Sequence, residues 1–404
     1  MIKCRPENLV IVILFLTVIF GFAAAFFILP DNAFSEQENR TLQQLPDLSV
    51  KTLISGDYSA GINSYYADQF PLRDEFVGIK SAFELFMLKR ENNSVTLGSG
   101  GTLAVRSMLT LYSDDGTAEG KIDFYDSESV SAMTGIVKKF NETLEKKGVE
   151  LAIVLPPRSA DVFVSALPAL YPSYRTDRLF AQLSEELEGT GYIDLLDMYR
   201  KKYDSGEYVY YRTDHHWTTL GAYYAYVEIM ESFGYEPYSL DAFDVSVMSD
   251  EFYGTTWSKS GMRFVKPDTM ERFILSDTDD SDYTSVINDK TYAGGGLTGF
   301  YDYSKLETKD KYAVFFGGSY SHTSISLSSG EDRETLLLLK DSFGHSVAPF
   351  LALHFDIEMV DLTYADSGLD KYFERYDIDK VVVILNAENV ISSQYLARLR
   401  VSDR

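Results

Sequence analysis

The chain of 404 residues has a single cysteine, Cys4. No intramolecular disulfide can form, and no multi-cysteine metal site exists. Basic residues are also scarce, 37 against 61 acidic ones, leaving a formal charge of −24. A surface of that sign repels phosphate backbones, which excludes nucleic acid as a partner. Histidine is rarer still, with five in the chain, and tryptophan occurs twice. What is abundant is Tyr (29) and Phe (26), in a composition that is 45% apolar and 24% charged. That balance supports a large core and argues against disorder. Aromatic side chains also line carbohydrate clefts, but core filling explains most of them.

One long apolar run stands out. "LVIVILFLTVIFGFAAAFFIL", from Leu9 to Leu29, has no charge and is long enough to span a hydrocarbon layer of about 30 Å. Lys3 and Arg5 precede it, and Asp31, Glu36 and Glu38 follow. This bias predicts a cytoplasmic N-terminus, a single pass through the cytoplasmic membrane at residues 9–29, and an extracytoplasmic remainder. Ala23-Ala24-Ala25 also resembles a cleavage site, so secretion after signal cleavage is the alternative. The length of the run favours an uncleaved anchor.

Beyond residues 1–30, residues 31–125 read as a membrane-proximal lead-in. It includes an amphipathic helix over Leu72–Lys89 with Phe76, Ile79, Phe83 and Phe86 at helical spacing. Residues 126–404 read as a catalytic domain in which strands and helices alternate. A helix is expected over Ser129–Lys147, ended by Gly148, then a buried strand in "ELAIVLPP", a helix over Arg178–Glu188 and a strand in "YIDLLDMY". Thr218 or Thr219 can cap the next helix. Residues 238–330 look like an irregular insertion. Leu336–Leu339 and Val381–Leu385 are continuous apolar runs, as in central parallel strands covered on both faces. The expectation is an α/β three-layer sandwich with a mostly parallel sheet, preceded by one transmembrane helix.

Two segments carry candidate chemistry. In "LLLLKDSFGHS", Ser342 follows an expected buried strand and precedes an expected helix start, a place where nucleophiles and ligands gather. In "YYRTDHHWTTLG", Asp214 stands directly before His215 and His216. A serine nucleophile needs a base, and the base needs an orienting carboxylate. In a locally extended segment residues two apart share a face, so Asp214 would hold His216, His216 would face Ser342, and His215 would point away. Plain helix capping by Ser342 and ordinary packing of the histidines are the bland readings. A metal on Asp214, His215 and His216 is disfavoured because adjacent histidines diverge in extended chain and no other His-rich motif joins them. No metal or cofactor is therefore expected.

"RTDHHWT" resembles the signature of the DHHW proteins, which in turn are similar to the periplasmic alginate O-acetyltransferases. "SEQENRTLQQLPDLS", "DQFPLRDEF", "LPPRS", "FYGTTWSKSG", "FFGGSYSH", "KDSFGHSVAPFLALHF" and "VDLTY" extend the likeness over about residues 34–390. The resemblance implies an SGNH-hydrolase-like fold with a rearranged motif order. By motif, Asp214, His216 and Ser342 take the catalytic positions. Asn386 or Asn389 would complete the oxyanion hole. His215, Trp217, Trp257, Gly318, His322 and His345 are further candidates for the oxyanion or substrate side. Two departures fall near the pocket: Thr363 stands where relatives carry arginine, and Lys340 where the familiar serine motif has glycine.

The resulting expectation is an extracytoplasmic O-acyltransferase that acetylates a cell-surface or secreted polysaccharide through an acyl-serine. The resemblance implies a multi-span membrane acyltransferase as the source of the acyl group. A carbohydrate acetyl esterase with the same triad is the alternative, as is a non-catalytic polysaccharide-binding or envelope assembly protein.

Overall fold

The computed structural model describes residues 6–106, 108–112, 118–123, 125–169, 171, 176–289, 295–364, 368–387 and 395–402. The chain forms two compact units, Met1–Asn92 with Gly261–Phe264, and Asn93–Ser260 with Val265–Arg404.

The first unit is helical. Helix α1 (Pro6–Ile28) is apolar all round, and its stretch Glu7–Ile28 is the one helix among the described residues long and apolar enough to cross a membrane. Helices α2 (Val50–Ser55), α3 (Asp57–Asp68) and α4 (Arg73–Phe86) follow. Ser49 and Thr52 form a capping box that starts α2. Gly56, at φ +83°, turns the chain from α2 into α3, a conformation that favours glycine. Ahead of these helices Arg40 clamps Asp68 with two short bonds, 2.6 and 2.9 Å, the planar fork that guanidinium and carboxylate share.

The second unit is built on helix α5 (Ser127–Lys146) and an eight-stranded sheet. In chain order its strands are β1 (Glu150–Val154) and β2 (Tyr192–Ile193). A separate antiparallel hairpin, β3 (Phe243–Phe252) with β4 (Asp268–Leu275), comes next. The sheet resumes with β5 (Tyr283–Ile287), β6 (Gly296–Thr298), β7 (His322–Leu327), β8 (Thr335–Lys340), β9 (Asp356–Asp361) and β10 (Lys380–Ile384). The spatial order is β6-β5-β7-β9-β8-β10-β1-β2. The five strands from β9 to β2 pair in parallel, and the β6-β5-β7 end is antiparallel. The sheet is thus mixed: the parallel part expected from the sequence runs from β9 to β2, and the antiparallel end is the difference.

The difference arises in residues 238–330. The antiparallel strands β5, β6 and β7 all fall there, and the separate hairpin strand β3, buried only at its ends, lacks the alternation by which a strand is read from sequence. A second difference is "YIDLLDMY": it gives two strand residues and then a helix over Leu196–Asp204. Asp194 accepts the Leu196 N–H at 2.9 Å and so favours the turn into the helix.

The long apolar runs are central strands. On β8, Leu336 and Leu338 enter one core with the helices Thr219–Ser232 and Gly344–Leu351. Leu337 and Leu339 enter the other, with α5 and the helix Thr176–Glu186. Alternate residues of one strand therefore serve two cores, which is why the run contains no polar break.

Candidate active site

The "TDHHW" segment is a bent loop fixed from outside. A bridge joins Tyr210 to Trp217, and the Tyr211 N–H donates to the His216 carbonyl at 3.2 Å. Asp268 at the start of β4, wholly buried, takes the Thr213 hydroxyl (2.6 Å), the Thr213 N–H (2.7 Å) and the Arg212 side chain (3.1 Å). Thr218 then caps the following helix through the Gly221 N–H.

The bend brings both histidines to one carboxylate. Asp214 Oδ2 lies 2.6 Å from His216 Nδ1, and Oδ1 lies 3.3 Å from His215 Nδ1. The imidazole rings are 3.8 Å apart. His215 therefore does not point away, because the segment is bent and strand-like alternation does not apply. Thr255 holds the same Oδ1 through its N–H (2.8 Å) and hydroxyl (2.7 Å). A Cβ on the preceding residue, Gly254, would lie 2.2 Å from Asp214 Cβ, so only glycine permits this approach.

Ser342 arrives from the carboxyl end of β8, and its Oγ is 2.7 Å from His216 Nε2. The structure thus joins Asp214, His216 and Ser342 in one hydrogen-bonded line. Asp341 shapes the serine turn, accepting the Phe343 N–H (3.0 Å) on one oxygen and the Asn386 N–H (2.7 Å) on the other. Tyr312 stacks on the His216 ring, centroids 3.9 Å apart and planes within 6°, and its hydroxyl donates to the Ser342 carbonyl at 3.3 Å. The imidazole is therefore held by packing as well as by hydrogen bonds.

The electrostatics follow from burial. Burial pushes the Asp214 carboxyl up, but the charges and hydrogen bonds of His215 and His216 outweigh it and hold the group well below the usual carboxylate range. Burial, helped by the charge of His215, brings His216 down to about 4 against the pull of Asp214. At neutral pH His216 is then uncharged, and an ionised Asp214 can only accept, so Nδ1 carries the proton and Nε2 is left to accept from Ser342. A metal on Asp214, His215 and His216, whose ligand atoms lie within 4.8 Å of one another, would have to compete with these bonds.

A cleft of about 190 Å³ opens beside this line, bordered by His215, Thr255, Asn386, Arg158 and Lys259 among others. Asn386 is thus brought to the cleft, its amide donating to the Pro156 carbonyl at 3.4 Å. Asn389 lies outside the described residues.

The remaining candidates divide. Trp217 is buried under the serine turn, donating to Ser346 Oγ at 2.8 Å and packing on Phe343, so it supports the turn from within. Trp257 is also buried, packed on Tyr253 with Lys309 Nζ 4.8 Å from its ring, and offers no open face of the kind a sugar platform needs. His345 faces Lys340 Nζ at 2.5 Å, and Lys340 pairs with Asp361 at 2.7 Å. Burial, Lys340 and His216 together hold the His345 imidazole well below its ordinary range. Lys340, in the position of the missing glycine, is therefore a buried cation with its own counter-ion. Gly318 continues a turn in which its N–H donates to the Phe315 carbonyl. His322 on β7 is buried, 2.5 Å from Glu358, and Glu358 shares its face of β9 with Val360, on the core opposite that of the serine turn. His322 is not brought to the cleft.

Sequence reasoning gave no role to Thr255, Tyr312, Asp268 or Arg158. Thr255 and Arg158 lie in quoted motif segments, "FYGTTWSKSG" and "LPPRS". Tyr312 and Asp268 carry no local signal, since their partners are distant in the chain.

A family model for DHHW proteins matches residues 119–361, more than half of the chain. The chain belongs to the DHHW family. This DHHW protein is similar in structure to a DHHW protein of Eubacterium siraeum (21% identity, TM-score 0.57), covering 76% of this chain and 99% of that one. PatB1 of Bacillus cereus is likewise similar (18% identity, TM-score 0.58, 72% and 99% covered). In sequence the chain resembles the probable alginate O-acetylase AlgJ of Pseudomonas syringae pv. tomato, 23% identical over 188 residues, 45% of this chain. That match spans 44% of AlgJ, so the chain covers less than half the length of the curated relative.

Proposed function

We propose that this DHHW protein is an extracytoplasmic O-acyltransferase that acetylates a polysaccharide through an acyl-serine on Ser342. One observation carries the reading: His216 has Nδ1 on Asp214 (2.6 Å) and Nε2 on Ser342 Oγ (2.7 Å), the relay that makes a serine hydroxyl nucleophilic. The likeness to proteins named alginate O-acetylase supports a sugar hydroxyl as acceptor.

In the first half-reaction Ser342 Oγ attacks the acyl carbonyl while His216 Nε2 takes the hydroxyl proton. The tetrahedral intermediate collapses, the leaving group departs with that proton, and the acyl group remains as an ester on Ser342. In the second half-reaction a sugar hydroxyl gives its proton to His216 and attacks the ester carbonyl. Collapse releases the acetylated sugar, and Ser342 regains the proton. Asp214 keeps the imidazole in the working tautomer and stabilises the transient imidazolium. The Asn386 side chain is the proposed oxyanion donor, and the cleft that it borders with Arg158 and Lys259 takes the acceptor.

The reading treats residues 126–404 as the catalytic domain with an SGNH-hydrolase-like arrangement. Its support is a serine at the carboxyl end of a central parallel strand. The apolar α1 supports membrane attachment, and the family resemblance implies a multi-span membrane acyltransferase as the acyl donor.

Release of p-nitrophenol from p-nitrophenyl acetate, with and without uronate or neutral oligosaccharide acceptors, tests it. Wild type is expected to turn over and to acetylate an acceptor, and Ser342→Ala to do neither. Equal rates in both folded proteins would overturn it. Turnover with hydrolysis alone would move the reading to an esterase.

A further inference from the structure

Helix α4 is amphipathic, but its faces are reversed in the fold. Its inward side combines the half-buried aliphatics Val77 and Leu85 with small and polar residues. Ser81 is 3% exposed, its hydroxyl donating to the Val77 carbonyl and accepting from Asn92, both at 2.9 Å. Gly78 lies close against the Arg263 side chain. The aromatic stripe faces out, with Ile79, Phe83 and Phe86 at 64, 62 and 79% exposure and Phe76 at 43%. A helix in water turns such a stripe to the core, and a contiguous apolar face left outside marks an interaction surface. The stripe continues into exposed Met87 and Leu88, and exposed Leu53 and Ile54 lie on α2.

We propose that α4, with its neighbours α2 and α3, lies in the outer headgroup layer of the bilayer crossed by α1, its aromatic stripe inserted among the acyl chains. The argument for lipid as the occupant is continuity with α1. Phe22 stacks on Phe70 at 5.4 Å and meets Phe76 at 5.6 Å, while Phe26 meets Tyr65 and Tyr66 at 5.7 and 5.2 Å. These contacts lie near the carboxyl end of α1, the end that leads out of the membrane. Phe22 precedes the end of α1 at Ile28 by roughly 9 Å at 1.5 Å per residue, and interfacial helices bury their apolar face to about 5–10 Å. The stripe is therefore tied to a helix in hydrocarbon at the depth where an amphipathic helix rests. Lys80 and Lys89 each pair with Glu84 at 3.0 Å, which lowers the cost of holding them near the interface. Tyr65 and Tyr66 are residues of the type that favours the headgroup level.

Flotation cannot separate this from anchoring by α1 alone, so a local probe is needed. The full chain carrying Cys4→Ser and a single F83C or I79C is labelled with a nitrobenzoxadiazole dye and placed in phosphatidylcholine–phosphatidylglycerol nanodiscs. E331C, an exposed position in the second unit, is the reference. The proposal expects shallow doxyl-labelled lipid to quench F83C and I79C several-fold more than E331C, and iodide to quench them several-fold less. Iodide access equal to that of E331C, with no lipid quenching, would overturn it. Protection from both quenchers would also overturn it, in favour of a second copy covering the stripe. So would failure of the chain to enter nanodiscs. The two labelled sites serve as independent readings should one variant not fold.

Discussion

The two units of the chain use apolar side chains in opposite senses. In the sheet unit Leu336–Leu339 serve two buried cores, and the polar residues taken inside, Asp214, His216, Lys340 and Asp361, are each satisfied by a partner. In the helical unit Ser81 and Asn92 are inside and Phe83 and Phe86 outside. The composition of a helix or strand therefore does not tell which way it faces. In the proposed reading, a low-dielectric core makes the paired histidine and carboxylate reactive, and a bilayer would give the outward aromatic stripe a favourable place to sit.

Substitutions on the two sides should separate this contrast. The largest effect is expected from His216→Ala, which removes the base and should lower kcat by about 10⁴-fold or more; turnover of an activated ester reads it, and unchanged turnover would break the account of the sheet unit. Next is Leu338→Ala, expected to cost about 2–5 kcal/mol as a buried leucine, visible as a lower thermal midpoint in detergent. Thr255→Val removes a hydroxyl that bonds both the buried Asp214 carboxylate (2.7 Å) and His215 Nδ1 (2.8 Å) and should reduce kcat by about 10–100-fold, from about 1.5–3 kcal/mol for a charged hydrogen bond, with the fold kept. The smallest is Phe83→Ala in detergent, expected within about 0.5 kcal/mol of wild type because the ring does not pack in a core. A large loss there would mean that the stripe has a partner inside the protein.

The pH profile sharpens the same contrast. His216 must be uncharged to take the serine proton, and burial lowers it to about 4. The acid limb of kcat/KM should then fall near pH 4, with activity level above it, in place of an inflection near the ordinary 6.5. A limb at 6.5 would indicate that the working histidine is solvated.

Much of the sheet unit is legible in the sequence because its signals are local. Runs such as Leu336–Leu339 mark strands covered twice, and "DHHW" and "KDSFG" name residues that the fold brings within 2.7 Å. What escapes the sequence depends on distant partners. His215 turns towards Asp214 because Asp268, more than fifty residues away, bends the loop. Tyr312 and Thr255 act on His216 and Asp214 across folds of the chain that no spacing reveals. His322 looks like a loop ligand beside glycines, yet strand pairing brings it to Glu358. The spacing of Phe76, Ile79, Phe83 and Phe86 predicts one face of a helix correctly, but periodicity cannot say whether that face meets core or solvent.

Ser342 is the residue proposed to carry the acyl group. Brief exposure to p-nitrophenyl acetate, an acid quench and peptide mass spectrometry test it directly. An acetyl group is expected on Ser342 in the wild-type protein and none there in His216→Ala. Acetylation of Ser342 to the same extent in both proteins, or of other residues with Ser342 unmodified, would contradict it.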